Sequence, residues 1–68
     1  MELLTVTEVS KILKINWNKV YELIRLGRIQ ALSLGSLKIP MFEVEDFIRR
    51  NVGKDLSDMK NVRELQVS

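Results

Sequence analysis

The sequence predicts an α+β fold that is mainly α, on three observations. Two capped apolar stripes of helical spacing sit on either side of Lys14-Ile15, the pattern switches to period two around Gly35-Ser36, and helical spacing resumes after Pro40. The expected order is helix, turn, helix, two-stranded hairpin, helix over residues 1–52, followed by a tail over residues 53–68.

Thr5, followed three residues later by Glu8, has the form of a capping box, in which hydroxyl and carboxylate each take up a free backbone N–H at a helix start. The first helix is therefore expected from Val6 to about Lys14, with Val6, Val9, Ile12 and Leu13 as its core stripe. Asn16 is the expected N-cap of a second helix, which Gly27 ends by taking the left-handed conformation past the C-cap. On the helical wheel Trp17, Val20, Tyr21, Leu23 and Ile24 gather on one side, while Asn18, Glu22 and Arg25 gather opposite with Lys19 at the edge.

Ile29 to Leu34 and Leu37 to Ile39 flank Gly35-Ser36, which suits a two-residue type II′ hairpin loop. That loop pairs Leu34 with Leu37, Ser33 with Lys38 and Leu32 with Ile39, placing all four apolar residues on one face. Val44, Phe47 and Ile48 define a third helix over about Phe42 to Asn51. In the tail, Leu56, Met59, Val62 and Leu65 recur every three residues, a spacing that fits a fourth helix with Ser57 as its N-cap. So short a helix needs something to pack against. Two helices across a tight turn followed by a hairpin make a winged helix-turn-helix.

Sixty-eight residues give one small core, worth roughly 3–5 kcal/mol of net stability. No apolar run approaches the roughly 18 residues that span a bilayer, and the first residues carry no basic leader, so a cytoplasmic protein with no membrane association is expected. The chain has neither His nor Cys, which removes the usual zinc ligands, general bases and thiol nucleophiles together. Catalysis and a bound cofactor are therefore not expected. Between Lys11 and Lys38 six basic residues stand against Glu22 alone, a concentration that suits a polyanion-binding face and that a solvated helix surface can also produce.

The order and spacing of Leu3-Leu4-Thr5-Val6, Glu8-Val9, Ile12-Leu13, Val20-Tyr21, Leu23-Ile24-Arg25, Gly27-Arg28-Ile29, Gly35, Ile39-Pro40 and Val44-Glu45-Asp46-Phe47-Ile48 carry a resemblance. Together they resemble the excisionase-type, MerR-like helix-turn-helix family of phage and transposon excisionases and small bacterial DNA-binding proteins. The resemblance implies binding to double-stranded DNA through the second helix and the wing. Carried over by position, it assigns contacts to Trp17, Asn18, Lys19, Glu22 and Arg25 on the helix, Arg28 just beyond it, and Ser33, Ser36 and Lys38 on the wing. The family commonly has basic residues where this chain has Trp17 and Asn18, and a longer, arginine-rich wing tip where it has Gly-Ser-Leu-Lys. Fewer phosphate contacts mean weaker nonspecific binding and a shallower salt dependence.

Each candidate also has a plainer role. Asn18 suits a bidentate contact to adenine or simple solvation, and Glu22 suits cytosine N4 or an ion pair with Lys19 or Arg25. Lys19, Arg25, Arg28 and Lys38 fall where phosphates are expected. Trp17 either wedges against the sugar-phosphate edge or caps the core beside Tyr21, with core or partial burial expected. The implied function is an accessory factor in recombination or a transcriptional regulator, with DNA, further copies of itself or an integrase as partners. The rival is a protein-interaction module that uses Trp17, an exposed Met41-Phe42 pair and the tail, unless the tail folds back over that pair.

Overall fold

The computed structural model describes residues 2–66. Its elements are β1 (Leu3–Leu4), α1 (Val6–Leu13), α2 (Trp17–Arg25), β2 (Leu32–Ser33), β3 (Leu37–Pro40), α3 (Met41–Asn51), β4 (Lys54–Asp55) and β5 (Arg63–Glu64). This is the expected winged helix-turn-helix with two additions, a strand ahead of α1 and a small hairpin after α3.

The helix-turn-helix forms for the local reasons the residues supply. Thr5 N–H donates to Glu8 Oε1 at 2.9 Å and Glu8 N–H donates to Thr5 Oγ1 at 3.1 Å, so the capping box is complete. Lys14 then takes the left-handed conformation, φ 58°, and turns the chain after only eight helical residues. Asn16 caps α2 by accepting from Asn18 N–H at 3.3 Å. At the far end Gly27 (φ 74°) donates to Ile24 O and Arg28 N–H donates to Leu23 O, the paired bonds of a Schellman stop.

The sheet has three antiparallel strands in the order β1-β3-β2, where a two-stranded wing was expected. Leu3 pairs with Pro40 and Leu4 with Ile39, and Met41 N–H donates to Glu2 O at 2.9 Å, so the N-terminal strand seats the start of α3 as well. Two residues are too few to show an alternation, which is why β1 leaves no periodic signal.

The wing register differs from the expected one by a single residue. Ser33 pairs with Leu37 and Leu32 with Lys38, so the loop is Leu34-Gly35-Ser36, with Leu34 N–H donating to Ser36 O at 2.9 Å and Gly35 at φ 90°. Because side chains alternate, that slip moves Leu32 and Leu34 off the face of Leu37 and Ile39 and leaves both exposed. In exchange Ile29, fully buried, and Ala31 face inward with Ile39.

One core joins the elements: Leu4, Val6 and Val9, Val20 and Leu23, Ile29 and Ile39, Val44 and Phe47, and Met59 of the tail. Ile12, expected in this set, is 40% exposed, since it flanks the stripe that Val6, Val9 and Leu13 define on α1. Ile48 also lies toward the outside of α3. Met41 packs against the core rather than standing open, while Phe42 is exposed as expected.

The described part of the tail is a hairpin, not the expected helix; residues 67–68 lie outside the described residues. Lys54 pairs with Glu64 and Asp55 with Arg63. Asp55 Oδ1 accepts from both the N–H and the hydroxyl of Ser57, and Asp58 accepts from Lys60 N–H and Asn61 Nδ2. These local side-chain bonds compete with helical ones and win, and Ser57, expected as an N-cap, is spent in the first of them. The three-residue spacing in the tail reports only Met59 and Leu56 turning inward.

Candidate nucleic-acid interface

α2 spans nine residues between a side-chain cap and a Schellman stop, and it presents one continuous outward stripe. At about 100° per residue, Trp17, Tyr21, Arg25, Asn18 and Glu22 fall in that order across roughly 140° of the helix. All but Glu22 are exposed, and the Glu22 side chain is 35% exposed. Val20 and Leu23 occupy the buried side. The stripe has two halves, an aromatic one of Trp17 and Tyr21 and a polar one of Asn18, Glu22 and Arg25.

Trp17 is 58% exposed and outside the core, so of the expected core or partial burial only a partial cover remains. The wheel sorted it with the apolar residues because it scores aromatics as core formers, whereas only Val20, Leu23 and Ile24 turn toward the core or pack against it. Tyr21, 45% exposed, is the residue of this face that sequence reasoning missed. Its ring meets the indole edge to face, centroids 5.7 Å apart at 89°. Its signal in the sequence was its position one turn from Trp17, readable only once Trp17 is known to be outside.

Arg25 extends into solvent, its side chain 69% exposed, and meets Glu22 only at 4.0 Å. An exposed pair at that distance is weak and gives way easily to a stronger anion. Beside the stripe lies a groove of about 570 Å³ whose walls include Asn18, Lys19, Glu22 and Arg25 from α2 and Leu37 from the wing. The structure thus brings Asn18, Lys19, Glu22 and Arg25 to one concave surface with the wing as its second wall.

On the wing Ser33 and Ser36 are exposed and Lys38 is half-buried on the central strand. Lys38 lies close enough to α1 that its charge, with that of Lys11, adds to the forces holding the Glu8 carboxyl below the usual carboxylate range. The larger causes are the bonds Glu8 makes with Thr5, through the backbone first and then the hydroxyl.

Arg28 stands apart from the other cations. Its Nε donates to Met59 O at 3.0 Å and its own carbonyl accepts from Arg50 Nη2 at 3.3 Å. It therefore ties the end of α2 to the tail and to α3, a role invisible in sequence because its partner lies 31 positions away.

The chain's similarity to known proteins follows the same boundaries. The family of helix-turn-helix domains matches residues 3–52, from β1 to the C-cap of α3. The chain is also 43% identical over 54 residues to an excisionase from Streptomyces ambofaciens, covering 78% of this chain and 87% of that relative. The chain belongs to the excisionase-type helix-turn-helix family. No solved structure matches it significantly. In this excisionase-type domain the matched region holds every α2 and wing residue described above, and the β4–β5 hairpin follows it. Among the described residues no helix is long and apolar enough to cross a membrane.

Proposed function

We propose that this chain is a small sequence-specific DNA-binding protein of the excisionase class, an accessory factor that directs recombination by positioning DNA rather than by catalysis. α2 enters the major groove, Asn18 and Glu22 face base edges, and Lys19, Arg25 and Lys38 pair with phosphates, with Ser33 and Ser36 of the wing along the neighbouring backbone. The observation that carries this reading is the outward stripe of α2 opening onto a groove walled by the wing, with Arg25 held there only by its weak 4.0 Å pair with Glu22. The excisionase relative supports recombination over transcriptional control. An integrase and neighbouring copies of the chain are the fitting partners, because so few cations hold a single subunit weakly. The site of action is the cytoplasm.

Three cations on this face set the salt dependence. At roughly −0.9 per neutralised phosphate the logarithmic slope is about −2.7, so affinity falls about 40-fold between 50 and 200 mM salt. Selection of bound duplexes from a random library, followed by salt titration of the winner, tests the reading. Arg25→Ala is expected to weaken all sequences alike and reduce the slope by about one, while Asn18→Ala relaxes preference at one base pair. A library that yields no enriched motif, with no binding even at low salt, sinks the proposal.

A further inference from the structure

The reading face holds a feature that hydrogen-bond recognition leaves unused. Trp17, the single tryptophan of the chain, is the first residue of α2 and the most exposed of its aromatic pair. An indole more than half exposed forgoes much of the burial that its size offers. It is nevertheless held: Tyr21 abuts it edge to face at 5.7 Å, so the ring is oriented before any partner arrives. On the same outward stripe stand Asn18 and Arg25, both exposed. An amide and a cation on that stripe suit a polar, anionic partner better than an apolar protein surface.

A duplex offers one apolar group on a base edge in its major groove, the 5-methyl of thymine. In a helix-turn-helix the residues at the N-terminal end of the second helix are those that meet base edges, which is where Trp17 lies. We propose that Trp17, oriented by Tyr21, reads the 5-methyl group of a thymine next to the base pair facing Asn18. This rests on the DNA-binding reading above and adds to it the base group read by the aromatic half of the stripe. Specificity is thereby divided along α2: apolar contact from Trp17, hydrogen bonds from Asn18 and Glu22. It also accounts for an indole where a cation would otherwise add affinity, because a cation strengthens binding to all sequences and a methyl contact strengthens one.

The test uses the wild-type chain and the duplex enriched from the random library. Thymines of the site are replaced one at a time by deoxyuridine, which removes the methyl and keeps every hydrogen-bonding group. One replacement is expected to weaken binding about four-fold, the worth of one carbon group withdrawn from water. In Trp17→Ala that thymine-to-uracil ratio should fall to about one at the same position and persist unchanged elsewhere, the signature of a direct coupling. Trp17 emission, free of any other tryptophan, should be quenched by the thymine duplex and less so by the deoxyuridine duplex. The inference is overturned if every replacement is silent, or if the sensitive position keeps its ratio in Trp17→Ala. Those results leave DNA binding intact, whereas failure to enrich any duplex removes the DNA-binding reading and this inference with it.

Discussion

Lys14 carries an unusual backbone. At φ 58° and ψ 43° it is the one residue other than glycine with positive φ among the described residues, and it ends α1 by donating its N–H to Ser10 O. A residue with a Cβ in this region is strained by about 1–2 kcal/mol, and glycine relieves that strain while losing about 0.5–1 kcal/mol more chain entropy. Lys14→Gly is therefore expected to stabilise the fold by about 0.5–1 kcal/mol, read as a rise in the thermal midpoint. A lower midpoint would show that the lysine side chain contributes more than its backbone costs. Periodicity cannot report such positions: it shows that a turn exists at Lys14-Ile15, not which residue bends.

Capping chemistry is the part of this fold that reads most directly from residue identity. Thr5 with Glu8, Asn16, and Gly27 each mark a helix end within one residue, because the bonds that end a helix are local. Pairing between strands is not local, and there the sequence misleads by one residue: Gly35 sits in a three-residue loop, and Leu32 and Leu34 face water. The capping box also sets a pH dependence. The Glu8 carboxyl is held below its ordinary value of 4.5, first by the Thr5 backbone N–H and then by its hydroxyl, with Lys38 and Lys11 adding to both. A carboxyl depressed in the folded state stabilises the protein fully above its unfolded value, and that contribution disappears as pH falls through the folded value. Glu8→Gln keeps the capping geometry and removes the titration. Its stability is expected to fall less steeply than the wild type's below the ordinary carboxylate range, with Asp55 and Asp58, both also depressed by local hydrogen bonds, supplying the remaining slope. Denaturant midpoints measured across that range check this, and superimposable pH profiles would count against it.

At the scale of the whole molecule, the helix-turn-helix and third helix were legible because each is an amphipathic segment, the first two with side-chain caps and the third set off by Pro40. The tail was not. Its three-residue apolar spacing imitates a helix, yet Asp55 and Asp58 capture the backbone locally, and what the tail contributes to the core is Met59 with Leu56 packed against it. Met59 is 7% exposed within the core that Leu4, Val9, Val20, Leu23, Ile39, Val44 and Phe47 build, and Arg28 Nε holds its carbonyl. The residues that follow the matched family region thus complete the core beneath α2. Met59→Ala is expected to cost about 2–4 kcal/mol, a large share of the roughly 3–5 kcal/mol a chain of this size commands. The proposed reading face is untouched by that change, because Trp17, Asn18, Glu22 and Arg25 stand on the outer side of the helix whose inner side Met59 supports. The expected result is therefore a sharply lower thermal midpoint together with an unchanged salt slope of DNA binding at temperatures where the variant is folded. Loss of the slope without loss of the midpoint would place the tail in the DNA contact and not in the core.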